Sequence, residues 1–305
     1  MEYLKRYCSI CENQKHNTHK IQAPLPAEIQ EFSALKRLWH GFFNEEIAFK
    51  SFFTYEICNI CKLAFCPVYF DQIQLDELYA SMPDNSANID IHLLSKTQHE
   101  YFKQYQQYIP HIDGDYLEFG PDIGLFTKYL PQHHFGKLWM LEPNKAVWQI
   151  LKKNLENMDL EIVEDMSKSN ISNNSLKSVV MVHVLDHLIN PMDILNVLKL
   201  KMKAGATICI VTHDVDSLMA KILRFRWPAF CLQHPQLYSR HSIKNLLEKT
   251  GFKVKAIHKT KNYFPIGYLL NHLAWALGFK KFKFDYLNSI SIPLKLGNMI
   301  TIAES

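Results

Sequence analysis

The sequence predicts an α/β protein in which a Rossmann-like, seven-stranded and mainly parallel sheet has helices on both faces, with a small N-terminal zinc-binding module before it. Short apolar runs alternate with stretches of helical period after residue 115, which is typical of βαβ units. A turn containing Gly120 and Gly124 joins the first of these runs to the next segment. Two Cys-x2-Cys pairs precede the domain, and this spacing is typical of metal sites.

The composition limits the class of protein. The 305 residues are 48% hydrophobic, which is enough for one large domain or two of ordinary size. The net charge is only +4, and the basic residues are scattered apart from Lys280, Lys281 and Lys283, so we expect no nucleic-acid partner. Because no apolar run has the length of a signal peptide or a membrane span, we expect a cytoplasmic protein.

Cysteine spacing predicts a zinc site in the N-terminal module, which we place at residues 1–85. Cys8 with Cys11, and Cys58 with Cys61, have the spacing that lets two thiolates reach one tetrahedral ion. A site closed by four thiolates would stabilise the fold and catalyse nothing. Because the interval between the pairs is longer than in a compact zinc ribbon, free buried thiols are the alternative. Residues that could replace a ligand are Cys66, His16, His19 and His40.

A polar stretch separates the two parts of the chain. It runs from residue 71 to residue 88, and Pro83-Asp84-Asn85-Ser86 indicates a linker or turn. The second domain is therefore expected to cover residues 86–305. Apolar residues spaced for an amphipathic helix follow over 91–109, and we expect this helix to cover or flank the second domain.

The second domain alternates predicted strands with predicted helices. The strands are 116–119, 137–142, 160–163, 178–183, 207–212, 252–257 and 299–303. The helices are 126–130, 146–154, 191–202, 216–225 and 242–250, the last followed by Gly251, a residue that helix C-termini favour.

Polar residues that follow the predicted strands indicate a ligand site. Glu142 ends the second strand about 20 residues after the glycine turn, the distance at which an acid can hydrogen-bond a ribose hydroxyl. Asp165 follows the third strand. His183 and His187 follow the fourth and would share a face if that segment were helical. A metal site is the weaker interpretation of this pair, since a histidine at the end of a parallel strand more naturally faces a substrate cleft.

Together these motifs resemble the class I S-adenosylmethionine-dependent methyltransferases, most closely the bacterial branch related to sugar methyltransferases. The resemblance covers about residues 90–303 and depends on the order of several short motifs. They are Glu118-Phe-Gly-Pro-Asp-Ile-Gly124, Glu142, Asp165, His183-Val-Leu-Asp-His187 with Pro191, Lys203-Ala-Gly205, and the segment from His234 to Phe252. The N-terminal module also fits, since some sugar C-methyltransferases carry a zinc-binding four-cysteine module.

The resemblance implies S-adenosylmethionine as the cofactor. The residues it assigns are Glu118, Gly120, Asp122 and Gly124 on the methionine and ribose side, Glu142 at the ribose hydroxyls, Asp165 and Met166 at adenine, and His183 beside the sulfonium. It also implies that strand 299–303 lies antiparallel beside strand 252–257. Asp122 stands where the family usually has a middle glycine, and Asp186 stands where it has glutamate.

The implied activity is methyl transfer to an oxygen, nitrogen or carbon of a small molecule, for example a sugar or nucleotide sugar. The base candidates are His187 and His234, with Tyr238 as a polar orienter. Residues 217–240 are expected to form a substrate wall and residues 261–285 a lid, although this second segment could instead form a homodimer face or touch a membrane. Two other functions stay open: a binding module that has lost catalysis, and a nucleotide-binding oxidoreductase.

Overall fold

The computed structural model describes residues 3–12, 17–39, 51–80, 90–131, 134–276 and 283–305. Across these ranges, no helix is both long and apolar enough to cross a membrane. Several sequence features lie outside the described residues, namely the predicted linker 83–86, the candidate ligands His16 and His40, and Lys280 with Lys281.

The strands and helices are numbered in chain order. The strands are β1 Leu4–Lys5, β2 Asn17–Ile21, β3 Tyr55–Cys58, β4 Ala64–Phe65, β5 Val68–Tyr69, β6 Asp115–Phe119, β7 Leu138–Leu141, β8 Leu160–Val163, β9 Leu176–Val182, β10 Met202–His213, β11 Gln236–Leu237, β12 Lys253–Lys259, β13 Asn262–Pro265, β14 Ser291–Leu294 and β15 Asn298–Glu304. The helices are α1 Phe32–Leu38, α2 Gln72–Ala80, α3 Ile91–Tyr105, α4 Trp148–Asn154, α5 Pro191–Lys201, α6 Leu218–Leu223, α7 Arg240–Lys249 and α8 Ile266–Ala276.

The large sheet has seven strands in the order β12-β15-β10-β9-β6-β7-β8. The pairs from β8 through to β10 are parallel, whereas β15 runs antiparallel between β10 and β12. All seven predicted strands are confirmed, as is the antiparallel position of the last one beside the strand at 252–257. The central strand β9 is buried along its whole length, which explains the continuous apolar run of its residues 179–182.

The predicted helices other than 126–130 are present with shifted ends. α7 begins at Arg240 instead of residue 242 because Ser239 caps it: the Ser239 hydroxyl accepts the Ser242 N–H at 3.1 Å, and the Ser242 hydroxyl accepts the Ser239 N–H at 2.8 Å. Where the sequence predicts a helix over 126–130, only one 3-10 turn forms, Thr127–Tyr129. The predicted helix 216–225 is confined to α6 and a following 3-10 turn.

The N-terminal part and the segment 217–240 share one sheet. Its order is β11-β4-β3-β2, and β11 pairs antiparallel with β4 through Gln236 with Phe65 and Leu237 with Ala64. A second core joins the same two parts of the chain. Its large buried side chains include Trp39, Phe52, Phe53, Tyr55, Tyr69, Phe70, Trp227 and Phe230. The division at residue 85 stays a prediction, and the packing binds residues 1–85 closely to 217–240.

Glu118 is a buried acid in β6, the strand that carries the glycine turn. It is 2% exposed, and the hydroxyls of Thr127 and Tyr116 donate to its carboxyl group. Burial raises the pKa of Glu118 to about 8, although these hydrogen bonds oppose the shift. At neutral pH the folded chain therefore holds a proton that the unfolded chain releases.

We expect the free energy of unfolding to fall as the pH rises from about 6 to about 8, and Glu118→Gln to make this fall shallower. Because the pKa of Glu118 is higher in the folded state than in the unfolded state, this group alone costs up to about 1.4 kcal/mol for each pH unit in this window, and glutamine has no such proton to lose. Urea unfolding at several pH values measures the slope.

The matched control for this experiment is Glu161→Gln. Glu161 lies on β8 of the same sheet, its side chain is 39% exposed, and it pairs with Lys137. This variant should keep the wild-type slope. Equal slopes for the wild type and Glu118→Gln would show that the buried carboxyl group does not hold the extra proton.

Candidate functional site

The turn after β6 lies at the point where the order of the strands in the sheet reverses. β7 and β8 follow on one side of β6, and β9 and β10 on the other, so the carboxyl end of β6 is the switch point at which open α/β sheets bind ligands. Gly120 and Gly124 have φ angles of +70° and +77°. A Cβ atom on Gly120 would lie 2.6 Å from Cγ2 of Val184, so the turn has room only for glycine against the segment after β9.

Asp122 and Glu142 meet at this turn. Asp122 has a φ of +52°, a conformation that aspartate tolerates better than most residues, and its side chain is exposed. Glu142 accepts the Asp122 N–H at 3.0 Å and the Asn144 N–H at 2.8 Å. Burial raises the pKa of Glu142 to about 7; the two N–H groups oppose this shift, and the charge of Asp122 adds to it.

The other residues predicted to bind the cofactor lie on neighbouring strands. Asp165 and Met166 follow β8, where the Asp165 carboxylate accepts the Lys168 N–H at 3.1 Å and Met166 packs against the main core. Glu118 is the exception: it lies on β6 itself, buried in the protein interior, where the Tyr116 and Thr127 hydroxyls donate to its carboxyl group. His183 follows β9 and has a φ of +54°.

Four histidines gather at the carboxyl ends of β9 and β10. The ring centroids of His183 and His213 are 4.7 Å apart, those of His213 and His234 are 4.9 Å apart, and those of His234 and His187 are 4.7 Å apart. Burial, helped by His213, lowers the pKa of His183 to about 3, and burial also lowers the pKa of His187 well below its ordinary value. Both rings are therefore neutral near physiological pH.

His213 is a site residue that the sequence analysis does not identify. It ends β10, directly after the apolar run 207–212, so the rule that selects His183 at the end of a strand would also have found it. Its backbone N–H and its Nδ1 lie 3.0 Å and 2.9 Å from Oδ2 of Asp186, which is fully buried. Burial raises the pKa of Asp186 to about 6.

Tyr238 and the predicted substrate wall are largely internal. The Tyr238 hydroxyl accepts a hydrogen bond from Gln236 Nε2 at 2.8 Å and donates to the Leu185 carbonyl at 3.4 Å. Trp227 and Phe230 of the segment 217–240 are buried in the second core, and the edge of the Trp227 ring contacts His213 with 6.0 Å between centroids. These residues therefore back the histidines from inside the protein.

The four paired cysteines converge at one point. One ligand atom from each of Cys8, Cys11, Cys58 and Cys61 lies within 4.8 Å of the others. Each Cys-x2-Cys pair forms a tight turn, here called a knuckle, and the two knuckles have the same form. In each, the carbonyl of the first cysteine accepts the N–H of the residue four positions later: Glu12 donates to Cys8 at 2.8 Å, and Lys62 donates to Cys58 at 2.9 Å. Both donor residues have positive φ. Of the other candidate ligands, Cys66 donates to the Phe53 carbonyl at 3.6 Å, and His19 is exposed.

Comparisons with known proteins agree with this architecture. A profile of the family described as Methyltransferase domain matches residues 93–257. No curated protein matches the chain. Among solved structures, the chain is similar to an S-adenosylmethionine-dependent methyltransferase from Leishmania major, with 14% identity, a TM-score of 0.50, and coverage of 75% of this chain and 80% of that one.

Two further solved structures show lower overall similarity. One is an S-adenosylmethionine-dependent methyltransferase from Aquifex aeolicus, with 12% identity, a TM-score of 0.45, and coverage of 68% of this chain and 92% of that one. The other comes from Methanosarcina mazei, with 12% identity, a TM-score of 0.45, and coverage of 66% and 96%.

The family match spans α3 to β12 and so includes the glycine turn, Glu142 and the segment from His183 to His187. The matched residues make up more than half of the 305-residue chain. The chain therefore belongs to the methyltransferase domain family.

Proposed function

We propose that the chain transfers a methyl group from S-adenosylmethionine to a small molecule, with sugars and nucleotide sugars as the first acceptors to test. The observation that carries this proposal is the glycine turn at the switch point of the sheet, which touches the segment that bears the histidines. A binding module without catalysis and an oxidoreductase are the outcomes that the experiments below distinguish.

The residues at the turn fit the cofactor. S-adenosylmethionine supplies an activated methyl group on a sulfonium, so the protein must mainly bind, align and exclude water. The turn lacks side chains at Gly120 and Gly124, and Glu142 beside it keeps lone pairs that can accept ribose hydroxyls. Asp165 and Met166 would flank adenine. His183 would border the sulfonium, and its neutral ring would not repel that charge.

His187 is the base that the contacts favour for an acceptor that must lose a proton. Its ring is half-buried and lies 4.7 Å from the His234 ring between centroids, and burial lowers its pKa, so the neutral ring has a nitrogen lone pair that can accept a proton. His234 lies behind it, 1% exposed, with its Nδ1 held at 2.7 Å from the Ala229 carbonyl. Tyr238 acts as a positioning residue through the Leu185 carbonyl, next to the segment that bears Asp186 and His187.

The segment 261–285 is proposed to cover the site. β13 packs on α3, where the Tyr263 N–H donates to the Thr97 hydroxyl at 2.9 Å. The Tyr101 hydroxyl of α3 donates to Asn262 at 3.0 Å and lies 3.4 Å from Nε2 of His183. These contacts support a lid that reaches the ligand side of the sheet through Tyr101.

The N-terminal module is proposed to hold a structural zinc ion. The sulfur atoms of Cys8 and Cys61 are 3.4 Å apart, close to the roughly 3.8 Å expected for thiolates at zinc–sulfur distances of about 2.3 Å. Three of the four cysteines are buried in the main core. The ion would stabilise the fold and take no part in the reaction.

Asp122→Asn should tighten binding of S-adenosylmethionine by up to about twofold at neutral pH. The charge of Asp122 helps to raise the pKa of Glu142 to about 7, so its removal leaves more Glu142 ionised to accept ribose hydroxyls. Asparagine tolerates the positive φ, and Asp159→Asn, an exposed acid on the surface, is the control. Titration calorimetry measures the affinities.

The same calorimetry tests the proposed function. Weaker binding by Asp122→Asn would mean that the carboxylate belongs to a working form of the loop. Absence of binding to both S-adenosylmethionine and S-adenosylhomocysteine would leave only a module without cofactor, and binding of NAD alone would make the chain an oxidoreductase.

His187→Gln should lower kcat by about 10²- to 10⁴-fold, the usual contribution of a general base, and leave the affinity for S-adenosylmethionine unchanged. His234→Gln should have a smaller effect, because its Nδ1 is held by the Ala229 carbonyl behind His187. Release of S-adenosylhomocysteine with a panel of sugars and nucleotide sugars measures turnover. The exposed His241→Gln is the control, and unchanged turnover in both cluster variants would remove them from the mechanism.

Cys58→Ser should remove the zinc ion from the four-cysteine group and lower the free energy of unfolding by several kcal/mol, since structural zinc contributes on the order of 10 kcal/mol to folding in small modules. Metal analysis of freshly purified protein and urea unfolding are the measurements. Cys66→Ser, a buried cysteine outside the group, should keep the zinc ion that the four cysteines hold. A folded wild type without zinc refutes the site.

A further inference from the structure

We infer that His183, Asp186 and His213 form a second metal site, which binds one divalent transition-metal ion at the carboxyl ends of β9 and β10. This site is separate from the four cysteines. It also does not depend on the proposed methyl transfer, because binding of the ion can be measured without cofactor or acceptor.

The spacing of the three side chains suits an ion. One ligand atom from each residue lies within 4.8 Å of the others, and Oδ2 of Asp186 is 2.9 Å from Nδ1 of His213. Around an ion with bonds of about 2.1 Å to nitrogen and oxygen, adjacent ligand atoms lie about 3 Å apart. The pair from Asp186 and His213 already has this separation, and His183 offers a ligand atom within 4.8 Å of both.

Two buried polar atoms in this group are unsatisfied. Oδ1 of Asp186 and Nδ1 of His183 are buried and make no hydrogen bond within the described part of the chain. Asp186 is 0% exposed, and a buried polar atom left without a partner costs about 1–3 kcal/mol. The contact with His213 satisfies only the other oxygen of Asp186. A cation bound by Nδ1 of His183 and by both carboxylate oxygens of Asp186 would satisfy both atoms at once.

The surroundings of His183 resemble those of a metal ligand. Histidines that bind metals usually have their second ring nitrogen oriented by a polar group. Nε2 of His183 lies 3.4 Å from the Tyr101 hydroxyl and 3.2 Å from the side-chain amide of Asn298. This leaves Nδ1, the unsatisfied nitrogen, to face the ion. His183 and His213 are only partly buried, so an ion can enter from solvent.

The ligand types select the kind of ion. Imidazole suits zinc, iron, cobalt and nickel, whereas magnesium and calcium prefer sites built from oxygen. Two imidazoles and one carboxylate therefore favour a first-row transition metal. Three protein ligands also leave coordination positions open, which an oxygen of an acceptor could occupy.

Cobalt titration of the full chain tests the site. The protein is washed with chelator, and Co²⁺ uptake is followed by visible absorption and calorimetry with no cofactor present. We expect the wild type to bind one ion more than His213→Gln, and the difference spectrum to show weak bands without the intense charge-transfer absorption of thiolate ligands. Asp186→Asn should weaken this second binding event at least tenfold. The exposed His241→Gln should bind as the wild type does.

Equal uptake by the wild type and His213→Gln, or a difference spectrum dominated by thiolate absorption, overturns the inference. Circular dichroism checks folding of each variant. If the fully buried Asp186 does not tolerate substitution, His213→Gln decides, since that side chain is 23% exposed. If neither variant folds, the wild type decides alone: it must bind an ion with nitrogen and oxygen ligands, and uptake confined to the thiolate site refutes the proposal.

Discussion

Burial of the Arg6 guanidinium connects three parts of the chain that are far apart in the sequence. Nη1 donates to the Pro235 carbonyl at 3.2 Å, and Nη2 donates to the Ile189 carbonyl at 2.7 Å and to Gln236 Oε1 at 3.3 Å. Removing a cation from water costs several kcal/mol, and the cost is offset only while these acceptors stay in place. The strand before the first knuckle, the segment after His187 and the segment after His234 are therefore held together.

The N-terminal module consequently forms part of the wall behind the histidines. Cys8 lies two residues after Arg6, and the first knuckle rests on α7, where Lys249 donates to the Ile10 carbonyl at 2.7 Å. β4 then pairs with β11, just after His234. A zinc ion at the knuckles would thus affect the proposed acceptor site only indirectly, by fixing the backbone that lies behind the histidines. The four cysteines would then hold a structural ion, and the group of His183, Asp186 and His213 would hold the ion nearest the reaction.

The sequence predicts well what depends on local pattern. The seven strands of the large sheet have apolar runs of the right length, and the glycine turn has backbone angles that few other residues adopt. Arg6 could not be identified as a structural centre because its acceptors lie more than 180 residues away. The pairing of β4 with β11 involves strands of two residues, which carry no periodic signal. Burial of Asp186 is likewise a result of packing that no motif shows.

Electric charge limits both the proposed cofactor side and the proposed metal side of the site. A fixed cation would repel the sulfonium of the proposed cofactor, and the histidines would not do so because burial lowers the pKa of His183 and His187 and keeps both rings neutral. An ion held by His183, Asp186 and His213 would bring two positive charges, of which the carboxylate of Asp186 offsets one. An acceptor oxygen that binds the ion and loses its proton would offset the other. Neutral histidines around one buried acid would therefore allow the proposed metal ion to lie next to the proposed cationic methyl donor, whereas protonated histidines would exclude both the ion and the sulfonium.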